Sequence, residues 1–530
     1  MKNPQNGLGG GEKSPWLDFS AQTALPEKIR TGLRRTERKE TKMKKVMRCL
    51  IALLLCACLL PSAAACKNNK PSIESGDSSG VDTKPGNLSA ETDENGYVLD
   101  DLPNNPAFDK TVRMLYWDDV ENVEFEVSDP YGDRISNSIY MRNLAVEERL
   151  GIKLSFHGTA GNYGNLDNFL ATAQAGSISG DYDLFAGYSM SGASLAINGL
   201  CLDLKTQKYL NFEKPWWPES LTSETTIIDK LFFASGDIST NLLHMMYVVF
   251  YNQEMIDAVS LEDPVELVDE GTWTYEKMFD MAKGMYLDTN SNDIADQDDQ
   301  YGFSAGKMHY EALFTGAGIK TVEKNNLGWM IVSPTFNSAK TTKLLDDICS
   351  FVHGSDDGFY GTTFEKGRTL FAIDRSYYAM IHKEEMSFTY GIVPIPKYDT
   401  IQEGYATCLG NPFTVYSIAK SSVIPDIAAA TLECLASEAY RLVTPELFEA
   451  TMKYQYSDVP ASARMYDLIR NSVIIDLGRI FDKELGGYPH TLFSNPIAKN
   501  APESFSSSYR TGETTMLERL KNNINPAFSK

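Results

Sequence analysis

The chain has 530 residues, 42% hydrophobic and 11% aromatic, and its 49 Lys and Arg stand against 71 Asp and Glu for a formal net charge of -22. That length is more than one hydrophobic core serves, so two or more lobes are expected. The acidic balance excludes nucleic acid as a partner, because neutralising phosphates takes a basic surface.

The charge is uneven along the chain. Residues 1–66 hold 12 Lys and Arg against 5 Asp and Glu, which leaves the remainder at -29. Residues 1–42 show no apolar period and read as an over-extended start or a disordered leader. From Met43 the segment "MKKVMRCLIALLLCACLLPSAAAC" has a basic start at Lys44, Lys45 and Arg48, then an apolar run from Cys49 to Leu60. The run is shorter than the roughly 20 residues that span a bilayer. Residues 43–65 therefore read as a secretory signal peptide. Ala63-Ala64-Ala65-Cys66 resembles the lipobox of bacterial lipoproteins, with Ala63 where Leu is usual. Lipidation at Cys66 would anchor the chain on the outer face of the cell membrane; cleavage nearby without lipid is the alternative. Residues 66–105, rich in Ser, Gly, Asp, Asn and Pro at first, read as a flexible tether. Cys201, Cys349, Cys408 and Cys434 are far apart, lack zinc spacing and are expected to be buried thiols.

The body alternates strands and helices. "TVRMLYW" is β-rich, and the helical run after it ends at Gly151. "IKLSFH" is a strand, "NLDNFLATAQAG" a helix stopped by Gly176, and "YDLFAG" a strand. "HMMYVVFYN" is a fully apolar central strand, "TYEKMFDMAKG" an amphipathic helix, and "TLFAIDRS", "YGIVPIPK" and "FTVYSIAKSS" are further strands. Pro425 opens one late helix; Thr444 and Pro445 are expected to cap and open another. The alternation predicts an α/β fold with a mainly parallel sheet.

In order, "RNLAVEERLGIKLSF", "YDLFAG", "GLCLDLK", "KPWWPES", "DKLFFASGDIS", "VVFYNQEM", "TWTYEKMFDMAK", "DQYGF" and "YGIVPIPKYD" resemble the extracellular solute-binding proteins of family 1. The resemblance covers roughly Phe108 to Ala527 and rests on the order of the phrases. It implies a periplasmic-binding-protein-like class II fold, two α/β lobes joined by crossing strands, with solute in an interlobe cleft. Lobe one would take 106–245, lobe two 246–405, a return to lobe one 406–455, and C-terminal helices on lobe two 456–530. It further implies a monomeric, non-enzymatic receptor that hands a carbohydrate to the permease subunits of an ABC importer.

A sugar receptor needs flat aromatic rings and hydrogen-bonding side chains at strand ends. The candidates are Trp117 and Asp118, Tyr188, Trp216 and Trp217, Asp237, Tyr251 and Asn252, Arg375 and Tyr377, and Asn411. Each has a plainer reading: a Trp between prolines as a packed loop anchor, Arg375 in an ion pair, Asp237 capping a turn.

"DTNSNDIADQDDQYG" places Asp288, Asn290, Asn292, Ile294, Asp296 and Asp299 at positions 1, 3, 5, 7, 9 and 12, the spacing of a calcium loop with a carbonyl ligand at Ile294. Asp293 replaces the usual Gly at position 6, and Asp299 the usual Glu at position 12. A structural calcium is expected, against a solvated acidic turn. The six His show no triad or metal spacing, and the serine-protease-like "GDSSG" lies in the tether with no packed surroundings. A secreted carbohydrate-active enzyme with bound calcium, or a ligand sensor on the same fold, is the competing reading.

Overall fold

The computed structural model describes residues 91–529 except 121 and 128–130. The signal peptide, Cys66 and the start of the tether lie outside them. Among the described residues no helix is long and apolar enough to cross a membrane, and Cys201, Cys349, Cys408 and Cys434 are buried and unbridged.

Lobe one is built on Lys110–Trp117 (β1), Ile152–Thr159 (β2) and Leu184–Tyr188 (β3). β1 pairs in parallel with both neighbours. The Arg134–Leu150 helix links β1 to β2; the Asp133 carboxylate accepts from the N–H groups of Ile135 and Ser136 at 2.9 Å each, and Gly151 closes it at φ 62. The next helix, Leu166–Ser179, runs past the expected stop at Gly176 and ends at Gly180. Gly176 is needed for packing instead, because a Cβ there would strike the Tyr182 ring.

Lobe two holds Tyr247–Asn252 (β4), Tyr301–Ala305 (β5), a hairpin of Val322–Lys324 (β6) and Met330–Val332 (β7), Gly358–Tyr360 (β8), Thr369–Arg375 (β9) and Tyr390–Val393 (β10). Thr414–Ile418 (β11) returns to lobe one. The sheets run β11-β3-β1-β2 and β10-β4-β9-β5-β8. Both are mixed: the expected parallel pairs outnumber the antiparallel ones, which are β11–β3, β4–β9 and β10–β4. The crossings explain it. β11 enters lobe one, and β4 enters lobe two, from the hinge, whereas β3 and β9 run toward it, so β11 and β4 lie antiparallel to them.

The first and second crossings are tied to each other: Tyr247 N–H donates to the Cys408 carbonyl at 2.9 Å and Gly410 N–H to the Met245 carbonyl at 2.7 Å. The third crossing is helical. Thr444 and Pro445, expected to cap and open a helix, instead lie within one that runs from Pro425 to Gln455 with wide turns over Ala439–Val443 and Pro445–Met452. A proline offers no N–H and crowds the preceding turn; a widened turn accommodates both. The C-terminal helices pack on lobe two, with Phe314 stacked on Phe493 at 3.9 Å, and also touch lobe one through Phe232–Phe528 and Phe233–Phe481.

Residues 91–105 belong to the folded body, not to the tether. Asp100 meets Arg149 at 2.9 Å and Arg441 at 3.3 Å and accepts from the Ser437 hydroxyl at 2.6 Å. Leu102 is buried in lobe one, and Tyr97 packs edge-on against Tyr440.

Candidate functional site

The carboxyl ends of β1, β2 and β3 and the start of β11 face lobe two across the seam formed by the crossings. After β2 the chain turns around Asp119, whose carboxylate accepts from the N–H groups of Gly161 and Asn162 at 2.9 Å each and from the Asn165 amide at 3.0 Å. This turn holds out Tyr163, 56% exposed. Partial burial and the Asp482 charge raise the Tyr163 phenol above its ordinary value. At the end of β3, Ser189 donates to the Asn411 carbonyl at 2.6 Å, joining β3 to the chain that leads into β11.

Opposite lie the ends of β5 and β9. His309 Nδ1 is 3.1 Å from the Ile373 carbonyl and 3.3 Å from Asp374, and the ring stands edge-on to Tyr247 at 5.6 Å. Burial lowers its pKa and Arg375 adds to this, while Asp374 opposes them; the neutral imidazole then carries its proton on Nδ1. Arg375 follows on β9, its Nη1 3.6 Å from the Met245 sulfur. Gly410 leaves room for it, since a Cβ there would lie 2.8 Å from Arg375 Cδ. Tyr377 stands edge-on to His244 at 5.7 Å.

The floor comes from the C-terminal segment. The Glu311 carboxylate bonds both Arg479 and His490, and Arg479 also donates to the Leu409 carbonyl on the second crossing at 3.3 Å. Asp482 accepts from the His490 N–H at 2.9 Å. Burial, with the Arg479 and Lys307 charges, outweighs Asp482 and brings His490 down to about 4. Asn411 and Arg479 line a small cavity beneath this floor.

The sequence candidates divide. Arg375 and Asn411 are half-buried beside the crossings, Tyr188 and Tyr377 are buried there against Trp117 and His244, and Asp118 is exposed at the end of β1. Trp117 is buried, donating to Thr414 Oγ1 at 2.8 Å, and its ring is packed against Tyr188. Trp216 and Trp217 are packed loop anchors: both indoles donate to the buried Glu433 carboxylate, at 3.2 and 2.9 Å. Asp237 is buried against Arg470 at 2.9 Å. Tyr251 and Asn252 sit at the end of β4 away from the crossing, the first buried in the core and the second capping the next helix through Met255 N–H at 3.1 Å. None of these six presents a free face to a solute.

Tyr163, His309, Glu311, Arg479, Asp482 and His490 were missed. The only trace of the last three was the density of charge among apolar residues in "DLGRIFDKELGGYPH".

In the acidic loop, Asp293 has φ 58, the left-handed turn that position 6 demands. The Asn290 and Asn292 amides converge on the Asp296 carboxylate at 2.9–3.4 Å. Asp299 is buried and accepts from Thr289 N–H, Asp296 N–H and the Tyr286 hydroxyl at 3.1–3.2 Å. Among the described residues no three His, Cys, Asp or Glu side chains gather as a metal-ligating group.

No protein-family model and no curated protein matches the chain. Solved structures do. A cyclo/maltodextrin-binding protein complexed with maltotetraose superposes with TM-score 0.53 at 13% identity, covering 79% of this chain and 99% of its own. A maltose-binding periplasmic protein from Listeria monocytogenes in complex with maltose gives 0.51 at 13%, over 77% and 98%. A sugar transporter from Rhizobium etli in an open conformation gives 0.50 at 15%, over 78% and 99%. The chain shares the α/β fold of these binding proteins over nearly their whole length.

Proposed function

We propose that this chain is an extracellular solute-binding receptor that closes its lobes on a carbohydrate, an oligosaccharide, and delivers it to an ABC importer. The observation that carries the reading is the pair of α/β lobes joined by tied crossing segments, in a fold shared with proteins whose structures hold maltotetraose and maltose. A hinge of that kind closes around a ligand. At the seam Tyr163 offers a ring face for sugar C–H groups, the half-buried Arg375 and Asn411 and the exposed Asp118 supply polar partners, and the buried Tyr188 and Tyr377 back them. The permease subunits and a lipid on Cys66 are its proposed partners at the membrane, and the receptor acts as a monomer.

The test is thermal unfolding of residues 88–530, a compact unit, across mono- and oligosaccharides. A solute at about 100 times its Kd adds roughly 2.7 kcal/mol. A shift with one sugar class, the sugar recovered intact, supports the receptor. No shift with any sugar removes the carbohydrate, and turnover of the sugar favours the enzyme.

We also propose that Asp288, Asn290, Asn292, the Ile294 carbonyl, Asp296 and Asp299 hold a structural calcium. The left-handed Asp293 and the convergence on Asp296 support this. Bound calcium would replace amide hydrogens as the counter-charge of Asp296. Calcium titration should raise the unfolding midpoint, and Asp296→Ala should abolish the rise; a midpoint indifferent to calcium and chelator sinks the assignment.

A further inference from the structure

The lobes touch again, away from the crossings. The β6–β7 hairpin is rooted in the C-terminal helices of lobe two: the buried Asp476 carboxylate accepts from Thr321 N–H at 2.8 Å and Val322 N–H at 3.2 Å, and Asn525 bonds Met330 N–H and carbonyl at 3.0 and 2.9 Å. Residues 223–230 are rooted in lobe one: Ile227 and Lys230 exchange backbone bonds at 2.9 Å each, Lys230 pairs with Asp203 at 3.2 Å, and Leu204 N–H donates to the Leu231 carbonyl at 2.7 Å.

Between the two, Lys320 pairs with Glu224 at 2.8 Å. The Lys324 ammonium donates to the Thr226 carbonyl at 3.0 Å and to that of Ser223. Ile228 N–H donates to the Gly328 carbonyl at 3.2 Å. The docked turn is strained: Ile228 has φ 46 and Asp229 φ 62. A β-branched residue keeps such a backbone only where its surroundings hold it there.

The site of this contact matters. Ala234 bridges Tyr416 in β11, and Thr414 marks the end of β11 that faces the seam. Residues 223–228 therefore lie beyond the opposite end of the sheet. The contact is polar and its ion pair about a quarter exposed, 26% and 27%, unlike the apolar Phe233–Phe481 packing beside it. On the seam side, Lys483 of lobe two simultaneously reaches Asp167 of lobe one.

We propose that the β6–β7 hairpin is a releasable strap: Lys320 and Lys324 of lobe two grip Glu224 and the Ser223 and Thr226 carbonyls of lobe one in the arrangement described here, and let go when the lobes rotate about the crossings. The strap biases the free molecule toward this arrangement. Its polar, part-exposed bonds are weak enough to break within a hinge motion.

Spin-label distances test it without any solute. Labels go on Cys replacing Ile178 in lobe one and Ile401 in lobe two, both exposed, in residues 88–530. Lys320→Ala/Lys324→Ala should transfer molecules to a second, distinct separation, changing the ratio of the two populations up to about fivefold. About 1 M salt on the otherwise unaltered labelled protein should act in the same direction, because an exposed pair is screened. Glu224→Lys should repeat the shift, and Glu224→Lys/Lys320→Glu should reverse it. Distances unmoved by the lysine pair and by salt, or a Glu224→Lys shift that the charge swap leaves in place, overturn the strap. Neither outcome bears on whether the solute is a sugar.

Discussion

Asp100 offers the sharpest test of where the folded body begins. Its side chain is 3% exposed. Burial alone would raise its carboxyl, but hydrogen bonds from Arg149 and Ser437 and the charges of Arg149 and Arg441 win and bring it down to about 2. A lowering of that size corresponds to about 2 kcal/mol at neutral pH. The sign follows from a depressed pKa: the folded state holds the ionised form, so the contribution is complete above about pH 4 and is lost as the pH falls toward 2. Asp100→Asn should cost about 2 kcal/mol at pH 7 and nothing further at pH 2. Starting the chain at residue 106 also removes Leu102, worth about 1.5–3 kcal/mol of burial, so the truncation should cost about 3–5 kcal/mol. Urea unfolding of chains starting at 88 and at 106, and of Asp100→Asn in the longer one, measures these costs. Equal midpoints for the two starts would return 91–105 to the tether and refute the reasoning.

Other outcomes follow from the same geometry. Burial pushes Glu433 up to about 7, against the pull of the Trp217 and Trp216 indoles and Asn211 N–H; a raised carboxyl stabilises the fold less as pH rises from about 4 through 7. Glu433→Gln should flatten that dependence, whereas Glu433→Ala should cost about 2–4 kcal/mol by leaving both indole N–H groups unpaired; unfolding at pH 5 and pH 8 reads both. Trp217→Phe should lower stability and leave solute affinity unchanged. Tyr163→Ala should do the reverse, with calorimetric titration of whichever sugar shifts the unfolding midpoint as the check. Asp299→Ala should loosen the acidic loop even with chelator present, because its carboxylate holds Thr289 N–H, Asp296 N–H and the Tyr286 hydroxyl; proteolysis between Asp288 and Asp299 measures that.

Local pattern was legible wherever a segment decides its own conformation. The apolar run of β4, the Gly151 stop and Pro425 at a helix start all depend on neighbours a few residues away, and each expectation held. Gly176 and Pro445 misled because the same residue types serve other ends: one makes space for Tyr182, the other rides in a widened turn. The aromatic candidates misled for a related reason. Trp117, Trp216 and Trp217 are large and apolar, and whether such a ring meets solute or core depends on distant partners, here Thr414 and Glu433.

The sequence alone therefore determined β1–β4 and β9–β11, helix ends such as Gly151 and Pro425, the α/β class and the twelve-residue rhythm of the acidic loop, because these follow from periodicity, caps and backbone preferences within short windows. Only the tertiary structure decided which side chains share the seam. Tyr163, Glu311, Arg479 and His490 are separated by up to hundreds of residues and meet because the crossings turn the strand ends of two sheets toward each other. It also decided that the β6–β7 hairpin would reach from one lobe to Glu224 on the other. Contacts between remote segments leave no period in the chain, so no window of residues could contain them.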